Sequence, residues 1–177
     1  MSRYSGEVNS PGFSPSATQS KYQVRFAWGV DGAAAIGEGA DAVVWVDQLG
    51  EPTAALPDAS TLIAGTIQNS AAVAAWVLDR QSDAGDRFTV AVVAAGAPGE
   101  SGGLRFAVED LLAAGAIVDA LAEVGIDYCS PEAAAACAAF TSLRRGVAHL
   151  ISASESGVAL GIRMPDLDPV DEVPVIR

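Results

Sequence analysis

The chain has 177 residues, with 10 Lys and Arg against 22 Asp and Glu, and a formal net charge of −12. Half of it is apolar and 18% is charged, which suits one ordinary globular domain and argues against general disorder. Nucleic acid and anionic membrane are poor partners for such a chain, because both require clustered cations, and Lys21 is its only lysine.

Residues 1–20 (MSRYSGEVNSPGFSPSATQS) have no apolar core of a secretory leader and read as a Ser/Gly/Pro-rich disordered tail. A single α/β domain is expected over 21–177. The alternation of residues 22–28 (YQVRFAW) predicts a strand, and Asp31 is placed to cap a short Ala-rich helix over 32–39. Residues 42–46 (AVVWV) read as a buried strand ending at Asp47, and 61–66 (TLIAGT) as another. Asn69 or Ser70 then caps a helix to about Arg80, with Ala72, Val73, Trp76 and Val77 on one side.

Residues 87–95 (RFTVAVVAA) give the strongest strand, apolar enough for burial on both faces. A glycine loop over 96–103 leads to a helix over 108–123, where Leu111, Leu112, Ile117, Val118 and Leu121 recur at helical spacing. Gly125 ends it. Ser130-Pro131-Glu132 marks another helix start, with N-cap, N1 proline and first-turn acid in sequence. That helix is expected to reach about Phe140, with a further one through Ile151 and a short strand at 173–176. The order β-α-β-β-α-β-α-α predicts a three-layer α/β/α domain on a largely parallel or mixed sheet. Apolar runs such as 71–78 and 90–95 are far shorter than the roughly 20 residues a bilayer span needs.

Several residue patterns carry chemistry. Cys129 and Cys137 are read as two small buried thiols in a reducing cytoplasm, and with only His149 beside them they do not make a zinc set. Gly99-Glu100-Ser101-Gly102-Gly103 matches the letters of a nucleophile elbow, but Ser101 stands about six residues beyond the predicted strand end, where the motif needs it on the turn itself. The loop lacks the Gly-Lys-Ser/Thr ending of a phosphate-binding loop. The carboxylates are more informative. Asp47 ends a buried strand, where open α/β sheets bind ligands. Glu109 and Asp110 open a helix just after the longest strand. Acids so placed either complement the helix dipole or hold Mg2+, which takes one or two carboxylates, waters and a substrate phosphate.

Taken together, residues 24–29 (VRFAWG), 43–47 (VVWVD), 64–74 (AGTIQNSAAVA), 105–116 (RFAVEDLLAAGA) and 130–133 (SPEA) resemble the 2-phosphosulfolactate phosphatase (ComB) family. The resemblance runs from about Tyr22 to Gly157, and its most specific piece is Glu-Asp-x-x-x-Ala-Gly at 109–115. It implies an α/β fold and Mg2+-dependent hydrolysis of a small phosphate monoester. The family's named substrate is 2-phosphosulfolactate, an intermediate of coenzyme M synthesis. Carried over by residue, Asp47, Glu109 and Asp110 become the metal carboxylates, Asp47 and Arg105 the catalytic pair, and Arg105 the anion contact, with Arg25 a further cation within the matched segments.

The chain departs from the family pattern after Asp47. Leu49 fits, but Gly50-Glu51-Pro52 stand where the family carries an arginine and its neighbours. A guanidinium there would supply charge-assisted hydrogen bonds to phosphate. Most of the following stretch is absent, and Gln68 replaces a usual arginine. An alternative expectation is therefore a shortened, catalytically degenerate relative, acting as a binding or structural module. A homodimer through an exposed sheet edge or face fits that alternative.

Overall fold

The computed structural model describes residues 19–50, 56–99 and 102–176. The tail expected over 1–20 lies outside the described residues up to position 18, as do Glu51, Pro52, Thr53, Glu100 and Ser101. Gln19 and Ser20, the last two residues of that stretch, belong to the fold through their contacts with β1.

The elements keep the predicted order: β1 (Val24–Trp28), α1 (Gly29–Gly37), β2 (Ala42–Val46), β3 (Leu62–Gly65), α2 (Ser70–Ala84), β4 (Val90–Ala94), a two-residue hairpin β5 (Ala97–Pro98) and β6 (Leu104–Arg105), α3 (Val108–Glu123), α4 (Pro131–Leu143), α5 (Val147–Ala153) and α6 (Glu155–Ala159). The first four strands form one parallel sheet in the order β1-β4-β2-β3. β4 is central because all five of its residues are buried, as its unbroken apolar run requires.

Helices cover both faces, giving the three-layer α/β/α domain. Alternate strand residues Phe26, Val44, Val46, Val92 and Ala94 meet α2, α3 and α4 on one face. Val43, Trp45, Ala91 and Val93 meet Ala33, Ala35 and Ile36 of α1 on the other. α3 is the hub of the thicker layer. Leu112, Ile117 and Leu121 are fully buried in it, and each such side chain contributes about 1.5–3 kcal/mol. Gly115 lets α4 approach closely. A Cβ there would run into the Ala136 carbonyl and stand 2.7 Å from Cβ of Phe140.

Both sheet edges are covered. At β1, the Gln19 side-chain amide donates to the Phe26 carbonyl (2.8 Å) and accepts from the Phe26 N–H (3.0 Å), imitating a neighbouring strand. The Val24 N–H donates to Tyr128 O, and the Ser130 N–H to Val24 O. At β3, the Ala64 N–H donates to Pro174 O, and the Ile176 N–H to Leu62 O. The strand expected over 173–176 is thus a single antiparallel bridge, Ile63 with Val175. Paired edges do not offer a template to another chain.

Three local expectations are corrected. Asp31 does not cap α1: the chain turns straight out of β1 at Gly29 (φ +63°), so Trp28 holds the N-cap position and Asp31 lies in the first turn. Asn69 holds the N-cap position of α2 without a side-chain capping bond. Its amide donates instead to Ala64 O and accepts from the Thr66 N–H, closing the turn after β3. The 96–103 loop starts with β5, which pairs antiparallel with β6. The Ser130 cap is as expected, accepting from the Ala133 N–H at 3.1 Å. Among the described residues, no helix is long and apolar enough to cross a membrane.

Candidate functional site

The parallel sheet collects the carboxyl ends of β1, β2, β3 and β4 on one rim. Asp47 comes directly after β2, and Glu109 and Asp110 stand in the first turn of α3. Both α3 acids are buried, at 2% and 3% exposure. Charged carboxyls are seldom this buried without a partner, and both lie at the positive end of the α3 dipole.

Asp110 is held from two strands. Its Oδ1 accepts the Gln48 N–H and its Oδ2 the Gly96 N–H, each at 2.9 Å. The carboxylate therefore clasps the chain just after β2 to the chain just after β4. Burial pushes its pKa up to about 8, with Asp47 and Glu109 adding to the rise against the two N–H donors. Glu109 has a buried Oε2 with no hydrogen-bond partner. Asp47 is half-buried, and its Oδ1 accepts the Gly50 N–H at 2.8 Å.

These residues suit Mg2+ in donor chemistry, being hard carboxylate oxygens with one buried oxygen unsatisfied. Each Asp110 oxygen keeps a second lone pair beyond its N–H donor. The three acids are not gathered into a cage. Among the described residues, no group of three or more His, Cys, Asp or Glu is arranged to hold a metal ion. Mg2+ needs only one or two of them when water and phosphate complete its shell.

The cations are less free than the sequence suggests. Arg25 is 3% exposed and spends its guanidinium on carbonyls of Ile36 (2.8 Å), Glu38 (3.0 Å), Ser20 (3.2 Å) and Tyr22 (3.3 Å). It ties the end of α1 to the approach of β1 and is not an anion contact. Arg105 donates to Ser156 Oγ at 2.9 Å and pairs with Glu155 at 3.3 Å. Glu155 is 73% exposed, so that pair is weak and exchangeable. Arg144, Arg145 and His149 are on the far helices, and all three are exposed.

Sequence patterning does not point to Gln48 or Gly96. Gln48 donates its backbone N–H to Asp110, its side-chain oxygen accepts the Ile67 N–H (2.8 Å), and its amide donates to Gln68 Oε1 (2.9 Å). Gln68 in turn donates to Asp166 O at 2.8 Å. A glutamine directly after a strand-end aspartate is the one signal for this role, and it is unremarkable among the chain's polar residues.

Beside the acids, a cleft of about 390 Å³ opens where the backbone leaves β1 and β4. The helix after β1 packs on one face of the sheet and the helix after β4 on the other. Adjacent strands whose connections diverge in this way define the crevice in which open α/β sheets bind ligands. Trp28, Val30, Trp45, Ala95, Pro98 and Leu104 contribute to its lining, together with Gly29 and Gly96.

A family model described as 2-phosphosulpholactate phosphatase matches residues 33–166, most of the chain. The matched span includes Asp47, Arg105, Glu109 and Asp110. A search of curated proteins returned no match. With the fold and the extent of this match in agreement, the chain belongs to the 2-phosphosulpholactate phosphatase family.

Proposed function

We propose that the chain is a phosphoric monoester hydrolase acting on a small anionic phosphorylated molecule with Mg2+. The observation that carries this reading is the buried, unsatisfied Glu109 Oε2 beside Asp110, itself buried among acids at the strand carboxyl ends. A cation placed there would satisfy the orphaned oxygen and offset the mutual repulsion of Asp47, Glu109 and Asp110. When bound, Mg2+ would polarise the phosphoryl group and lower the pKa of a coordinated water.

In this reading Asp47, Glu109 and Asp110 hold the metal, with Asp110 fixed in orientation by the Gln48 and Gly96 N–H groups. Asp47 faces the reacting phosphate at the end of β2. Arg105 exchanges its exposed partner Glu155 for the anion, supplying charge where phosphoryl transfer develops it. Cys129 and Cys137 are free, and half-buried where the sequence predicts full burial; free thiols support a cytoplasmic location.

A second reading keeps the fold as a non-catalytic binding or structural module. The engagement of Arg105 by Ser156 and Glu155 favours it. Since both sheet edges are covered, a homodimer of that module would use a helical face.

Phosphate release from 2-phosphosulfolactate and from glycerol 2-phosphate, with Mg2+ and with chelator, separates the two. Chelator-sensitive release lost in Asp47→Asn and Glu109→Gln supports the hydrolase. No release by the folded wild type from either ester supports the module.

A further inference from the structure

The cleft at the β1/β4 divergence has a chemistry of its own. Its lining by Trp28, Val30, Trp45, Ala95, Pro98 and Leu104 is apolar and partly aromatic. The one ionisable side chain among the described lining residues is Asp31, an acid. Trp45 is almost wholly buried, whereas Val30 and Leu104 are 42% and 55% exposed. Large apolar side chains left exposed around a concave site are a mark of ligand contact.

Backbone geometry seats Leu104 at the edge of the cleft. Gly29 and Gly96 both have positive φ, +63° and +68°, where the chain leaves β1 and β4. A Cβ on either would stand 2.9 or 2.8 Å from Cδ1 of Leu104. The leucine therefore lies directly over two bare stretches of backbone. Gly96 also joins the cleft to the acids, since it lines the one and donates its N–H to Asp110 of the other.

An anionic organic group finds no cation among the described lining residues and meets Asp31. A flat uncharged ring finds apolar contact on several sides, in a volume typical of small-molecule pockets. We infer that this cleft binds the organic part of the ligand, and that this part is an uncharged aromatic group. Binding in the cleft stands apart from the hydrolase reading; only the cleavage of the bound ester rests on it. A phosphate ester of a benzyl-type alcohol would lay its ring in the cleft and carry its phosphate past Gly96 to the acids.

The test has a binding arm and a turnover arm. In the first, benzyl alcohol is titrated while the three indole N–H signals are followed by NMR, with glycerol as the comparison. Saturable shifts at Trp28 and Trp45 are expected. Trp76 of α2, which packs against Phe88, should stay still. Leu104→Asp and Val30→Glu alter exposed positions and should each weaken binding at least tenfold. Absence of saturable shifts in folded wild type, or equal affinity in both folded variants, overturns the inference.

In the second arm, benzyl phosphate and glycerol 2-phosphate are compared with Mg2+ present. A kcat/KM at least about tenfold higher for the benzyl ester is expected from burial of the ring. If benzyl alcohol binds and neither ester is cleaved, the cleft stands and the hydrolase reading falls. If both esters are cleaved equally and the indoles do not move, the hydrolase stands and the cleft assignment falls.

Discussion

Substituting Gly115 by alanine sets two effects of opposite sign against each other. Alanine is favoured over glycine in a helix interior by about 1 kcal/mol. Helical propensity alone therefore predicts a more stable protein, with Tm raised by about 2–4 °C for a chain of this size. The α3–α4 contact predicts the reverse. The new methyl would meet the Ala136 carbonyl, Cβ of Phe140 at 2.7 Å and the Ala136 carbonyl carbon at 2.9 Å. Two of these obstacles are backbone, which cannot swing aside as a side-chain end would.

Relief requires α4 to move away from α3, although Ser130 and the Val24 pairing anchor its start to β1. Overpacking of this kind costs typically 1–3 kcal/mol in side-chain cases, and backbone obstruction belongs at or above the upper end. The net expectation is a loss of about 2 kcal/mol and a Tm lower by about 4–8 °C. Differential scanning calorimetry measures it, with Gly146→Ala as control, since a Cβ there has nothing within 4 Å. A Tm for Gly115→Ala equal to or above wild type would refute the close-approach argument.

Asp110 gives a pH-dependent expectation. Its folded pKa of about 8 is above the ordinary aspartate value of 3.8, so the fold binds its proton more tightly than the unfolded chain does. Its contribution is fully present below about pH 4 and lost as pH rises through about 8. Urea midpoints in chelator should therefore fall across that window, by at most about 1.4 kcal/mol per pH unit, and Asp110→Asn should flatten the dependence. Arg25→Leu leaves four carbonyls without their shared donor and should cost at least about 3 kcal/mol in urea unfolding; a loss below about 1 kcal/mol would show those bonds to be replaceable by water. Ser130→Ala removes the α4 cap and should cost about 1 kcal/mol in the same measurement. Deleting residues 172–177 uncovers the β3 edge, so concentration-dependent self-association by light scattering is expected, and a strictly monodisperse variant of unchanged size would count against that role.

Legibility in the sequence depends on how each element is specified. α3 has the predicted bounds because a long periodic segment with a glycine stop specifies itself locally. The start of α4 is equally plain, since Ser130, Pro131 and Glu132 each act within one turn. For β4, the apolar pattern places the start three residues too early. The Thr89 N–H goes to the Asp41 carboxylate and its carbonyl accepts the Asp41 and Ala42 N–H groups, a connection outside the strand ladder. The α1 start is hidden because a left-handed glycine replaces the expected cap, and a single φ leaves no trace in hydrophobic spacing.

The candidate acids are visible as strand-end and helix-start carboxylates. Their burial, and the grip of Gln48 and Gly96 on Asp110, are not. Those depend on which strands lie side by side, and periodicity does not encode strand order. The motif at 109–115 combines two tasks: Asp110 binds the chain at the rim, and Gly115 serves helix packing. Gln19 is silent in the sequence for a related reason, because one side chain imitating a strand has no pattern around it.

The strand order has a consequence for the growing chain. β1 and β2, made early, are not neighbours; each bonds to β4. Emerging from a ribosome, β1 waits unpaired and β2 has only β3 to pair with until residues 90–94 arrive. The outer side of β1 then waits for residues 128–130, and β3 for residues 174–176. A nascent chain thus carries open strand edges through most of its synthesis, when non-local pairing is slow and association with other chains competes. Slowed translation beyond residue 94 should favour the native sheet, whereas a pause before it would hold β1 and the open edge of β2 exposed together.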